Sequence, residues 1–83
     1  MFREKEKKWN AVCSEIANIL KKERESKGLS KVVISERTGL SRAMIGYVES
    51  GARNPTLQTL LRMADALEID LSAIVRQAQR RTK

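Results

Sequence analysis

The chain has 83 residues, a net charge of +7 and an isoelectric point near 10.1, and only 4% of its residues are aromatic. That length makes one domain, residues 1–83, with a small aliphatic core and little room for a deep substrate pocket. Excess Lys and Arg favours a polyanionic partner, while the lack of histidine, of metal-ligand spacing and of a Gly-rich phosphate loop argues against an enzyme, a metal site or a cofactor.

Residues 1–10, beginning Met1-Phe-Arg-Glu-Lys-Glu-Lys-Lys, read as a charged extension of the first helix and not as a signal segment. No apolar run approaches the roughly 20 residues of a membrane span. The single cysteine, Cys13, has no internal disulfide partner, so a reducing, cytoplasmic setting is expected. Trp9, Cys13, Ile16 and Leu20 recur on one helical face and predict a helix over about 8–27, stopped by Gly28 in the left-handed conformation. Its Lys21, Lys22 and Lys27 read as solvated. Ser30 is the N-cap candidate of a second helix, about 31–38, with Gly39 as its stop. Ser41 plays the same part for a third helix, about 42–50, which ends at Gly51. After the loop Ala52-Arg53-Asn54-Pro55, Thr56 caps a fourth helix, about 57–67, with Leu57, Leu60, Leu61, Ala64 and Leu67 as its apolar stripe. A fifth, over about 70–79, carries Leu71, Ile74, Val75 and Ala78, and the last residues fray. No strand alternation is visible, so the fold class is all-α.

Charge is unevenly spread. Residues 1–54 hold twelve Lys/Arg against seven Asp/Glu, residues 55–75 hold Arg62 against Asp65, Glu68 and Asp70, and the tail holds Arg76, Arg80, Arg81 and Lys83 with no acid. One end can face a polyanion while the other does something else.

Residues 31–50 carry the functional signal. Two short helices joined by a glycine, the second opening on polar and basic residues, suggest a helix-turn-helix. Ser35 is small enough for the helices to cross closely. Gly39 can take the positive φ of a tight turn. Ile34, Leu40, Ile45 and Val48 would face inward and set the angle of the second helix.

Gly28-Leu29-Ser30-Lys31, Gly39-Leu40-Ser41, Ile45-Gly-Tyr-Val-Glu49-Ser-Gly51 and Arg53-Asn-Pro55-Thr resemble the phage repressor/Cro-type (XRE) helix-turn-helix family. The resemblance spans about residues 16–75 and extends through Leu60-Leu-Arg-Met-Ala64-Asp-Ala-Leu67-Glu-Ile69. It departs at Ser35, where the family usually has Ala, at Thr38 and Glu23, often apolar, and at Lys31, often Gln. It implies a compact, five-helix, lambda-repressor-like domain that sets the start of its third helix in the DNA major groove. On that geometry Arg42, Ala43, Gly46 and Tyr47 share the base-facing side. Ser30, Lys31, Ser41, Arg53 and Asn54 are candidates for backbone phosphates. The resemblance also implies a structural ion pair between Arg24 and Glu49.

The leading expectation is a sequence-specific, double-stranded-DNA-binding transcriptional regulator, a homodimeric repressor or autoregulator reading a palindrome. Leu71, Ile74, Val75 and Ala78 are its expected dimer contacts, with closure of the monomer core as their other use. The competing reading is an antitoxin-like module whose main partner is a protein. A membrane-surface role is disfavoured by Glu15, Glu23 and Glu25 among the lysines of the first helix.

Overall fold

Five helices follow in the order α1 (Phe2–Ser26), α2 (Lys31–Thr38), α3 (Arg42–Ser50), α4 (Leu57–Ala66) and α5 (Leu71–Arg81). A computed structural model describes residues 2–82, with side chains from residue 6, and no strand occurs among them. Lys83 lies outside the described residues.

The helix boundaries follow from local chemistry. The hydroxyls of Ser30, Ser41 and Thr56 accept from the backbone N–H three residues on, in Val33, Met44 and Thr59, at 3.2, 3.0 and 3.1 Å. Each satisfies one of the donors that a helix start leaves unpaired. Gly39 closes α2 with φ of 78°, the left-handed geometry that lets α3 leave at a sharp angle. Ser35 allows the helices to approach and also donates from its hydroxyl to the Leu40 carbonyl at 2.6 Å.

α1 begins at Phe2, several residues before the expected start near residue 8. Residues 2–8 are Phe followed by Arg, Glu and Lys, straight-chain helix formers with no Gly, Pro or β-branched residue to stop propagation. Twenty-five residues make a rod about 37 Å long, which accounts for most of the 42 Å long axis of the molecule. The first turns therefore overrun the bundle. Trp9 is 60% exposed and Cys13 is exposed, although the apolar pattern assigned both to the inner face. Val12 and Ile16 are partly buried against the core, and full burial on α1 begins at Ala17, where α5 and α3 lie alongside.

The core is aliphatic. Leu20, Ile34, Ile45, Val48, Met63 and Leu67 are fully buried, with Ile19, Ala64, Ile74 and Ala78 around them. Two expectations need correction. In α4 the inner face runs through Leu60, Met63, Ala64 and Leu67, whereas Leu57 and Leu61 are 67% and 52% exposed because no helix packs on their side. In α5, Ile74 and Ala78 are sealed into the monomer core, because α5 packs along α1 and turns this i, i+4 pair inward. Leu71 and Val75 stay partly exposed. Burying Ile74 alone contributes about 1.5–3 kcal/mol to folding, so it is unavailable to a partner.

The α4–α5 corner has no glycine. Glu68 takes φ of 58°, the only non-glycine residue above zero among those described. Its N–H donates to Asp65 O at 3.0 Å and that of Ile69 to Ala64 O at 3.0 Å, the paired bonds of a Schellman turn. Basic side chains finish the same helix end. Arg37 donates to the Ala66 carbonyl at 3.0 Å and Lys27 to the Leu67 carbonyl. Lys27 is thus not simply solvated, and cations at a helix C-terminus also complement its dipole.

Candidate nucleic-acid interface

α3 is held from three sides, and this determines what it can present. Ile45 and Val48 are buried on its inner face. At its end Glu49, 7% exposed, receives two bonds from Arg24 of α1, 9% exposed. Arg24 Nε donates to Oε2 at 2.8 Å and Nη2 to Oε1 at 3.0 Å. The third guanidinium nitrogen, Nη1, donates to the Leu29 carbonyl at 2.9 Å in the α1–α2 turn. The fork therefore ties α1, the start of the helix-turn-helix and the end of α3 together. Hydrogen bonding to the Glu49 carboxylate raises the Arg24 pKa, against the opposing effect of burial, so the guanidinium stays charged.

The turn between α2 and α3 is satisfied by Thr38. This buried residue donates from Oγ1 to Ile34 O at 2.7 Å and accepts from the Leu40 N–H at 3.1 Å. A hydroxyl is tolerated at this inward position because both of its hydrogen-bonding functions are used. Arg62 of α4 adds a bond to the Thr38 carbonyl at 3.4 Å.

The opposite face of α3 is open. Arg42 and Ala43 are exposed, Gly46 is half-buried and Tyr47 is 42% exposed. Two cations from outside the helix flank this strip. Lys31, at the start of α2, holds its ammonium over Gly46, 3.7 Å from where a Cβ would sit. Arg53, in the loop after α3, places its guanidinium carbon 4.6 Å from the centre of the Tyr47 ring. Ser30, Ser41 and Asn54 are exposed around the same region, and the first two already cap helices as acceptors. The four α3 residues, Lys31 and Arg53 are thus brought together. The two α5 residues Ile74 and Ala78 are not on any surface. The Lys31–Gly46 and Arg53–Tyr47 contacts were not foreseen from sequence. The first depends on the helix crossing, and the second on how the loop returns after Gly51.

Among the described residues no helix is long and apolar enough to cross a membrane.

Residues 20–74 match the model of a helix-turn-helix family. Over 67 residues the chain is 33% identical to the HTH-type transcriptional regulator SutR of Escherichia coli K12, covering 81% of this chain and 38% of that protein. Over 52 residues it is 40% identical to the immunity repressor protein of Bacillus phage phi105, covering 63% of this chain and 36% of that one. The chain therefore spans little more than a third of these two relatives. The crystal structure of the restriction-modification controller protein C.AhdI from Aeromonas hydrophila matches with a TM-score of 0.69 at 33% identity, over 76% of this chain and 94% of that one. The matched segment contains α2, α3 and α4 entire, and on this sequence and structural agreement the chain belongs to the phage repressor/Cro-type helix-turn-helix family of DNA-binding proteins.

Proposed function

We propose that the chain is a transcriptional regulator that reads double-stranded DNA as a homodimer, with α3 in the major groove and a palindromic operator as its target. The observation that carries this reading is the strip of Arg42, Ala43 and Tyr47, exposed around a half-buried Gly46, on a helix whose other sides are locked into the core and onto Arg24. Arg42 in the first turn can offer two donors to guanine O6 and N7. Ala43 suits a thymine methyl, and Gly46 allows close approach. Lys31, Arg53, Ser30, Ser41 and Asn54 surround the strip and are assigned to phosphates, the serines through hydroxyl protons that capping leaves free. A repressing role is favoured by the likeness to a phage immunity repressor.

A single α3 reads only a few base pairs, so specificity calls for two copies. The face assigned to the second copy is α4 with the start of α5. Leu57 and Leu61 are exposed there, next to a shallow depression lined by Leu61, Arg62, Asp65, Ile69 and Leu71. Leu71 and Val75 remain candidates from the original α5 set.

The test begins by selecting bound sites from random duplex DNA. Arg42→Ala and Lys31→Ala are then titrated against selected and scrambled duplexes at several salt concentrations. Arg42→Ala is expected to cost about 1–3 kcal/mol on the selected site and to relax one base preference per half-site. Lys31→Ala should weaken both duplexes alike and lower the salt slope by about one unit. Equal losses for Arg42→Ala on both duplexes, with base preference unchanged, would remove α3 as the reading element.

A further inference from the structure

Tyr47 and Arg53 are six positions apart and on different elements, yet the backbone brings them together. The Tyr47 carbonyl accepts from the Ala52 N–H at 3.0 Å and from the Arg53 N–H at 3.4 Å, so the chain after Gly51 folds back over the last turn of α3. This return sets the Arg53 guanidinium 4.6 Å from the Tyr47 ring centre. Among the described residues, no carboxylate forms an ion pair with Arg53.

We propose that Tyr47 is a positioning residue, and that its ring holds Arg53 as a preformed phosphate clamp at the end of the recognition helix. The inference rests on the DNA-binding reading above and changes the part Tyr47 plays in it. A guanidinium resting on a ring has one flat face covered, while its N–H donors lie around the edge of the plane and stay free. Those edge donors suit two phosphate oxygens at once. A free arginine on a loop would lose rotamer freedom on binding DNA, whereas a stacked one has lost part of it already. The Tyr47 hydroxyl is not needed for this work.

The stack is tested first without DNA. The Arg53 side-chain protons should show a ring-current shift in the NMR spectrum of the free protein, kept in Tyr47→Phe and abolished in Tyr47→Leu. Affinity is then measured on a mixed-sequence DNA duplex at several salt concentrations. Tyr47→Phe, which keeps the ring, should lose less than Tyr47→Leu. Tyr47→Leu should lose about two- to fivefold, the worth of an exposed cation–π contact. Arg53→Ala should lose more and reduce the salt slope by about one unit. The double variant Tyr47→Leu/Arg53→Ala should match Arg53→Ala alone, since the platform has no use without its cation. A loss for Tyr47→Phe as large as for Tyr47→Leu would overturn the proposal by assigning a DNA contact to the hydroxyl. Additive losses in the double variant would overturn it as well. Wild-type protein that binds no duplex would overturn the DNA-binding reading and the clamp together, and a ring-current shift that persists would show that the stack itself was not at fault.

Discussion

Removing Arg24 is expected to cost more than any surface charge substitution in this protein. Glu49 is 7% exposed overall, and its carboxylate receives two bonds from Arg24 at 2.8 and 3.0 Å. In Arg24→Met that carboxylate stays buried without its partner, a situation that costs about 3–5 kcal/mol. A domain of 83 residues has about 4–12 kcal/mol of stability in total, at the usual value per residue. The variant should therefore lose between about a quarter and all of the native stability. With a urea m-value of about 1 kcal/mol/M for a small domain, the midpoint should fall by about 3 M or more. Glu49→Gln should be milder, because an amide oxygen can still accept one bond. Arg24→Met/Glu49→Leu should recover most of the loss, since replacing both members removes the unpaired charge. Lys21→Ala, which changes an exposed residue of α1, is the control. The assay is urea unfolding followed by circular dichroism. An Arg24→Met midpoint equal to that of Lys21→Ala would refute the reasoning, since the pair would then be solvated.

Other substitutions test separate parts of the molecule. Thr38→Val is isosteric but orphans the Leu40 N–H, and should cost about 1–3 kcal/mol in thermal or urea unfolding. Glu68→Gly relieves a left-handed residue at φ of 58° and should stabilise by up to about 1 kcal/mol, the strain removed being partly offset by added unfolded-state freedom. Leu61→Glu, at a position 52% exposed, should leave the helical spectrum unchanged and weaken self-association in sedimentation. Ile74→Asp, at a position 3% exposed, should instead unfold the monomer.

The helix-turn-helix was legible because its punctuation is local. Ser30, Gly39, Ser41 and Gly51 each act on the chain within four residues, and the structure finds them at the helix ends. The positions that misled are those whose environment depends on distant elements. Leu57 and Leu61 satisfy the same helical period as Leu60 and Ala64, and periodicity alone cannot say which side of an apolar arc has a neighbour. Trp9 carries an apolar side chain on a stretch of α1 that overruns the bundle. Ile74 and Ala78 looked surplus to a small core because the sequence does not tell how much of α1 requires cover. The α4–α5 turn was hidden for another reason: Glu68 does what a glycine ordinarily does, with Lys27 and Arg37 finishing the helix end from the α1–α2 turn and from α2.

Net charge overstates the surface offered to DNA. Arg24 is committed to Glu49 and Leu29, Lys27 and Arg37 to the end of α4, Arg62 to the end of α2, and Arg81 approaches Glu15 at 3.8 Å. Two of these five are matched by Glu49 and Glu15, and the other three bind carbonyls of the chain itself. The cations beside the open face of α3 are fewer, namely Lys31, Arg42 and Arg53, and they are ordered by the fold to different degrees. Lys31 lies over Gly46, Arg53 rests on Tyr47, and Arg42 stands in the first turn of α3 itself. A glycine at position 46 and a ring at position 47 thus bear on neighbouring cations. Substitutions at these two uncharged residues alter where positive charge is held, an effect invisible to a count of Lys and Arg.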